Sequence, residues 1–193
     1  MKLIRTTDPV TLAVSDADQK LHAKIDGSAD DALVAEINKA AIEVVEDRLE
    51  RGFLTQTWEL SLDGFPESGC PIDLCRSPAT IITSIKYINT DGVLTTLAAT
   101  EYTLDDKSEP PQVVEDYLKT WPSTRNVVNS VTILFVVEEG ATAAAIPEKY
   151  IMIIKQLFVH WYEHREPLKD KNWAEIPQHM EMLMKKYESK VLG

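Results

Sequence analysis

The chain has 193 residues, 44% of them hydrophobic and 26% charged, enough apolar material for one domain or for a core carrying an inserted module. Its formal net charge of −11 argues against gripping nucleic acid through a broad basic surface, because such binding works by neutralising phosphates; DNA passing nearby is not excluded. The start, MKLIRTTDP, is charged and polar and gives no signal-peptide pattern, and the longest apolar run, 150–162, is too short for a bilayer and contains Lys155, so no membrane partner and a cytosolic place of synthesis with reduced thiols are expected.

The elements read as helices, then strands, then helices, which predicts an α+β fold. Ser15-Asp16-Ala17-Asp18 resembles a capping box and opens a short helix that Asp26-Gly27 ends. Ser28-Ala29-Asp30-Asp31 caps a second helix, in which Leu33, Ile37, Ala40, Ala41, Val44, Val45 and Leu49 follow at helical spacing. Arg48 and Arg51 suit its negative end and Gly52 its stop. From Phe53 the period changes to two: Leu54, Trp58, Leu60 and Leu62 alternate with polar residues and predict a half-buried strand. A second strand is expected at 81–88, a hairpin turn at Asp91-Gly92 with return at 93–97, and a short strand at 101–104. Residues 105–111 read as a polar loop with two prolines. Val131, Ile133, Phe135 and Val137 line one face of a last strand whose other face, Thr132, Leu134 and Val136, is also largely apolar, so this strand is expected to be central.

Residues 146–166 give the strongest helix signal. Pro147 fits the first turn. Tyr150, Ile151, Met152, Ile153, Ile154, Leu157, Phe158, Val159, Trp161 and Tyr162 leave only a narrow polar strip of Lys149, Gln156, His160, Glu163 and His164. Most of this helix must be covered, by its own chain or by a neighbouring subunit. After a break at 170–175, a last amphipathic helix places Ile176, Met180, Leu183, Met184, Tyr187 and Val191 on one side. With Trp173 and Met182 it reads equally as a docking surface or as a helix folded back on its own core. Charge is uneven: residues 53–145 hold 5 basic and 13 acidic side chains, whereas 164–193 hold 6 and 5. The strand region is therefore the acidic part, and the near-neutral tail can meet another protein.

His160-Trp161-Tyr162-Glu163-His164 matches H-x-x-E-H, in which two imidazoles one helical turn apart converge on a zinc ion and the glutamate acts as general base. The candidates for a third ligand beyond it are Glu175, Glu181 and Glu188. Against a hydrolase stand the adjacent Arg165 and the end of the helix, and we prefer the plainer reading of a polar strip at solvent or a subunit boundary. Cys70 and Cys75 have no further cysteine to complete a metal site and read as free thiols in a loop. His22 and His179 read as surface or satisfied histidines. There is no phosphate-binding glycine loop, nucleophile elbow or dinucleotide fingerprint. No catalytic residue, metal ligand or cofactor is expected.

Several segments together resemble the head–tail connector proteins of tailed phages, also called adaptor or head-completion proteins. They are Val14-Ser15 through Asp26, Asp30-Asp31-Ala32-Leu33 leading to Val45-Glu46 and Arg51, Leu54-Thr55-Gln56-Thr57-Trp58-Glu59-Leu60 with Leu62-Asp63-Gly64-Phe65-Pro66, then Pro78, Ile85, Tyr87-Ile88, Asp91-Gly92, Tyr102, Trp121-Pro122, Pro147 and His160 to Glu166. Their order across roughly residues 14–166 carries the resemblance. Departures are Asp16 and Ala23, where leucine-like residues are expected, and Val137-Glu138-Glu139-Gly140, where the family's last strand ends differently.

The resemblance implies a helical bundle with a β-rich insertion: residues 1–52 and 146–193 as the helical core, with a tail helix from about 168, and 53–145 as the insert. It implies a homo-oligomeric ring, usually dodecameric, that binds the portal protein, extends the DNA channel and receives the next stopper or tail component. DNA passes through without sequence-specific binding. The chain would reside in the virion at the head–tail junction after assembly in the bacterial host cytoplasm. In that reading Tyr150, Ile154, Phe158, Trp161 and Tyr162 pack the ring, and Trp173, Ile176, Met180, Leu183, Met184 and Tyr187 dock on the portal. Two rival readings are a small zinc hydrolase using His160, Glu163 and His164, and a monomeric interaction module whose tail binds one partner.

Overall fold

The computed structural model describes residues 1–164, 176 and 178–187. The chain divides into two compact units: one takes Met1–Pro9 and Thr55–Glu139, and the other takes Val10–Leu54 and the described part of Gly140–Glu188.

The first unit is built of antiparallel strands. Strands β1 (Lys2–Thr7), β2 (Gln56–Leu62), β4 (Ala79–Ile88), β5 (Leu94–Thr96) and β8 (Val131–Val137) form one sheet in the order β1-β2-β8-β4-β5. Strands β3 (Ile72–Asp73), β6 (Tyr102–Asp105) and β7 (Gln112–Glu115) form a second in the order β3-β7-β6. β8 lies between β2 and β4, the central position its two apolar faces require. Val131, Ile133, Phe135 and Val137 are fully buried with Trp58, Leu60, Ile85, Leu74 and Val113, so both sheets contribute to one core. The Asp91-Gly92 turn forms as expected, with Gly92 at φ 84 and its N–H bonded to the Asn89 carbonyl at 2.9 Å.

Residues 1–9 correct the expected division, which placed them with the helices. β1 pairs with β2 from Lys2↔Ser61 to Thr7↔Thr57. Its core-facing residues are Leu3, which packs on the strand core, and Arg5, whose guanidinium lies 6.0 Å from the Trp58 ring. An arginine on the inward face hides the alternation that would mark the strand.

The second unit holds the helices. α1 (Asp16–Ala23) starts on Ser15, whose hydroxyl accepts the Asp18 N–H at 3.1 Å and donates to the Asp18 carboxylate at 2.6 Å. α2 (Asp31–Leu49) buries Val34, Ala41, Ile42, Val45 and Leu49. Both helices end on left-handed residues that are not glycine, Lys24 at φ 54 and Glu50 at φ 52, so the glycine stops expected at 27 and 52 lie beyond the true caps. The bonds from Ile25 N–H to Lys20 O and from Arg51 N–H to Glu46 O satisfy the last carbonyls and hold these turns. α3 (Glu148–Glu163) packs against α1, α2 and α4 (Gln178–Tyr187).

A buried polar knot ties α1 to α2. The Asn38 amide donates to the Val14 carbonyl at 2.9 Å and to the Asp16 carboxylate at 2.7 Å, and accepts from Gln19 at 2.8 Å. Asn38 and Gln19 are both fully buried, so each bond replaces water that cannot enter. Glu46, also buried, accepts the Phe53 N–H at 2.8 Å and fixes the chain where it leaves the helix.

Candidate functional site

The surfaces expected to meet partners lie on α3 and α4. Tyr150, Ile154 and Phe158 are buried in the helical core together with Ile153 and Leu157. The Tyr150 ring lies 5.2 Å from that of Phe53 and 6.4 Å from that of Tyr187, and Phe158 stacks on Tyr162 at 5.8 Å. In the single chain these three side chains, expected to pack against a ring neighbour, lie in the helical unit's own core. Trp161 and Tyr162 remain half-exposed. The Tyr162 hydroxyl donates to the Asp30 carboxylate at 2.6 Å, joining the end of α3 to the start of α2. The Trp161 indole N–H has no hydrogen-bond partner among the described residues. Met152 is 43% exposed on the same helix.

α4 folds back. Met180 and Met184 are buried in the helical core, with Ile176, Leu183 and Tyr187 half-buried against it. The two buried methionines are therefore not docking surface in this conformation. Met182, by contrast, is 73% exposed, on a face shared with Glu181 and Lys185. Trp173 lies outside the described residues.

His160 and His164 stand on one face at the end of α3, their ring centroids 4.7 Å apart. They line a cavity of about 340 Å³ with Glu163, Gln156, Val159, Met180 and His22. The sequence gives no local sign that α1 brings His22 here. Glu175 and Glu188, two of the three expected zinc ligands, fall outside the described residues, and Glu181 is exposed. Among the described residues no group of three His, Cys, Asp or Glu side chains is placed to hold a metal ion. Cys70 and Cys75 are not joined in a disulfide, and the Cys75 thiol donates to the Asp73 carbonyl at 3.7 Å.

In the strand unit, Glu115 organises a loop cluster. Its carboxylate accepts the Gly69 N–H at 2.7 Å, the Ser68 hydroxyl at 3.1 Å and the Trp121 N–H. Burial pushes its pKa up, but these three hydrogen bonds outweigh that and hold it below the ordinary carboxylate value. Trp121 in turn stacks on Phe65 at 5.0 Å. Asp105 is also lowered, chiefly by the Ser108 hydroxyl and then by the Lys107 N–H. These are turn-forming carboxylates, each held by neighbouring loop donors rather than paired with another acid.

Together these features define an α+β protein in which Met1–Pro9 and Thr55–Glu139 form the strand unit, and the segments on either side of that middle stretch supply the helices. No described helix is long and apolar enough to cross a membrane. No protein-family model matches the sequence, and no curated protein matches it. Solved structures do match. The chain is similar to one in the neck of an empty gene transfer agent particle computed with C6 symmetry, at TM-score 0.81 and 23% identity, over 100% of this chain and 98% of that one. It is similar to one in the virion of the native gene transfer agent particle at TM-score 0.77 and 24% identity, with the same coverage. A chain in the neck of the native particle computed with C12 symmetry matches at 0.75 and 22%, again over 100% and 98%. The likeness is one of fold and extends over the full length, in agreement with the connector resemblance read from the sequence.

Proposed function

We propose that the chain is a structural neck protein of a phage-like particle: an adaptor that forms a homo-oligomeric ring on the portal, extends the DNA channel and receives the next tail component. The observation that carries this reading is the full-length fold likeness, at TM-score 0.81, to a chain of a gene transfer agent neck. The ordered sequence resemblance over residues 14–166 supports it independently. A ring of identical subunits suits the C6 and C12 symmetries of the neighbouring necks, and the resemblance favours twelve. Such a ring joins two different patches of each subunit.

One patch is assigned to the exposed parts of α3: the outer edge of Trp161, Tyr162 and Met152. Portal docking is assigned to the tail beyond residue 168, through the outward face of α4 around Met182, while Met180 and Met184 keep that helix attached. The acidic strand region, with 13 acidic and 5 basic side chains over residues 53–145, presents DNA with a wall it does not adhere to. No catalysis or cofactor enters this role, and its place is the head–tail junction of the virion, reached after assembly in the host cytoplasm. Co-sedimentation with assembled portal rings tests it. The chain is expected in the portal fraction at about one copy per portal subunit; a chain that stays at the top of the gradient refutes the adaptor role.

A further inference from the structure

The histidines at the end of α3 have no part in the assembly just described, and their geometry does something the sequence pattern alone does not establish. His160 and His164 are one turn apart with ring centroids at 4.7 Å, close enough for both to reach one ion. The Nδ1 of His164 lies 2.9 Å from the backbone carbonyl oxygen of His160. A carbonyl only accepts, so Nδ1 carries the proton and Nε2 carries the lone pair. This is the arrangement that prepares an imidazole to bind a metal through Nε2, with the carbonyl fixing tautomer and ring orientation. The site lies at the carboxyl end of α3, where the negative end of the helix dipole favours a cation. The cavity of about 340 Å³ leaves room for an ion with its waters, and His22 and Glu163 line the same space.

We propose that His160 and His164 chelate a divalent ion of the zinc class, Zn²⁺ or Ni²⁺, at the end of α3. Imidazole pairs select such borderline ions over Mg²⁺ and Ca²⁺, which prefer oxygen. Among the described residues no third side chain is placed to complete the shell, and the proposal assigns the ion to the two imidazoles alone. The ion would brace the end of α3, and this inference does not depend on the adaptor reading.

The test is titration of ZnCl₂ and NiCl₂ into untagged full-length protein carrying Cys70→Ser and Cys75→Ser, which removes the competing thiolates, with MgCl₂ as control. Saturable binding of one ion is expected, with a rise in Tm because the ion binds only the folded helix. In the same background His160→Gln and His164→Gln are each expected to weaken binding roughly tenfold or more while leaving far-UV circular dichroism unchanged. Binding no tighter than Mg²⁺, or zinc binding unaltered in the doubly substituted protein, would overturn the proposal.

Discussion

Replacing Phe158 by alanine separates two accounts of the broad apolar surface of α3. Phe158 is fully buried in the helical core and stacks on Tyr162. If the chain itself supplies that burial, the loss is felt by the isolated monomer: a phenylalanine-to-alanine change at such a site costs about 3–5 kcal/mol. For a chain of this size each kcal/mol lowers Tm by roughly 2–4 °C, so a fall on the order of 10 °C is expected. Thermal unfolding followed at 222 nm, on protein shown to be monomeric by analytical ultracentrifugation, reads this directly. Met152→Ala, at a 43% exposed position, is the matched control and should change stability by no more than about 0.5 kcal/mol. A Phe158→Ala monomer as stable as the parent, with the defect appearing only on ring assembly, would refute the intramolecular assignment and return Phe158 to the subunit interface.

Asn38→Ala removes the two bonds that Asn38 donates and leaves the buried Gln19 amide without its acceptor, so a loss of about 2–4 kcal/mol is expected, with hydrogen exchange in α1 rising first; unchanged protection of α1 would contradict the knot's role. Gly140→Ala places a new methyl 2.8 Å from the Ala145 Cβ and 3.1 Å from its carbonyl carbon, and a cost of about 1–3 kcal/mol is expected, partly relieved in the Gly140→Ala, Ala145→Gly double variant. Because hydrogen bonding lowers the folded pKa of Glu115 despite its burial, the stability it lends is present above the unfolded carboxylate value and is lost as pH falls through the folded one. The NMR signal of the Trp121 backbone amide, which donates to this carboxylate, should therefore shift in acid, and Glu115→Gln should remove that dependence. Met182→Asp should weaken portal binding while leaving the fold intact; deletion of 168–193 is a poorer test, since it also strips Met180 and Met184 from the core.

The helices were legible because each announces itself locally. Ser15 caps α1, Val34 to Leu49 keep a 3.6-residue period, and Pro147 stands immediately before α3. The centrality of β8 followed from two apolar faces, and the β4–β5 hairpin from Asp91-Gly92. The strands that escaped notice were β1, with Arg5 facing inward over Trp58, and the two- and four-residue β3 and β7, too short to show alternation. Interface residues were harder for a different reason. Periodicity shows that the face bearing Tyr150, Ile154 and Phe158 must be covered, but intramolecular and intermolecular cover bury the same atoms. The meeting of His22 with His160 and His164 is likewise a product of helix packing, which leaves no local mark in the sequence.

The central claim is assembly at the portal, and electron microscopy of the chain mixed with the portal protein of its own particle addresses it most directly. The account predicts a second ring seated on the portal, sharing its axis and continuing its channel, with density for the tail helix at the junction. Bare portal rings beside a chain that remains monomeric would contradict it.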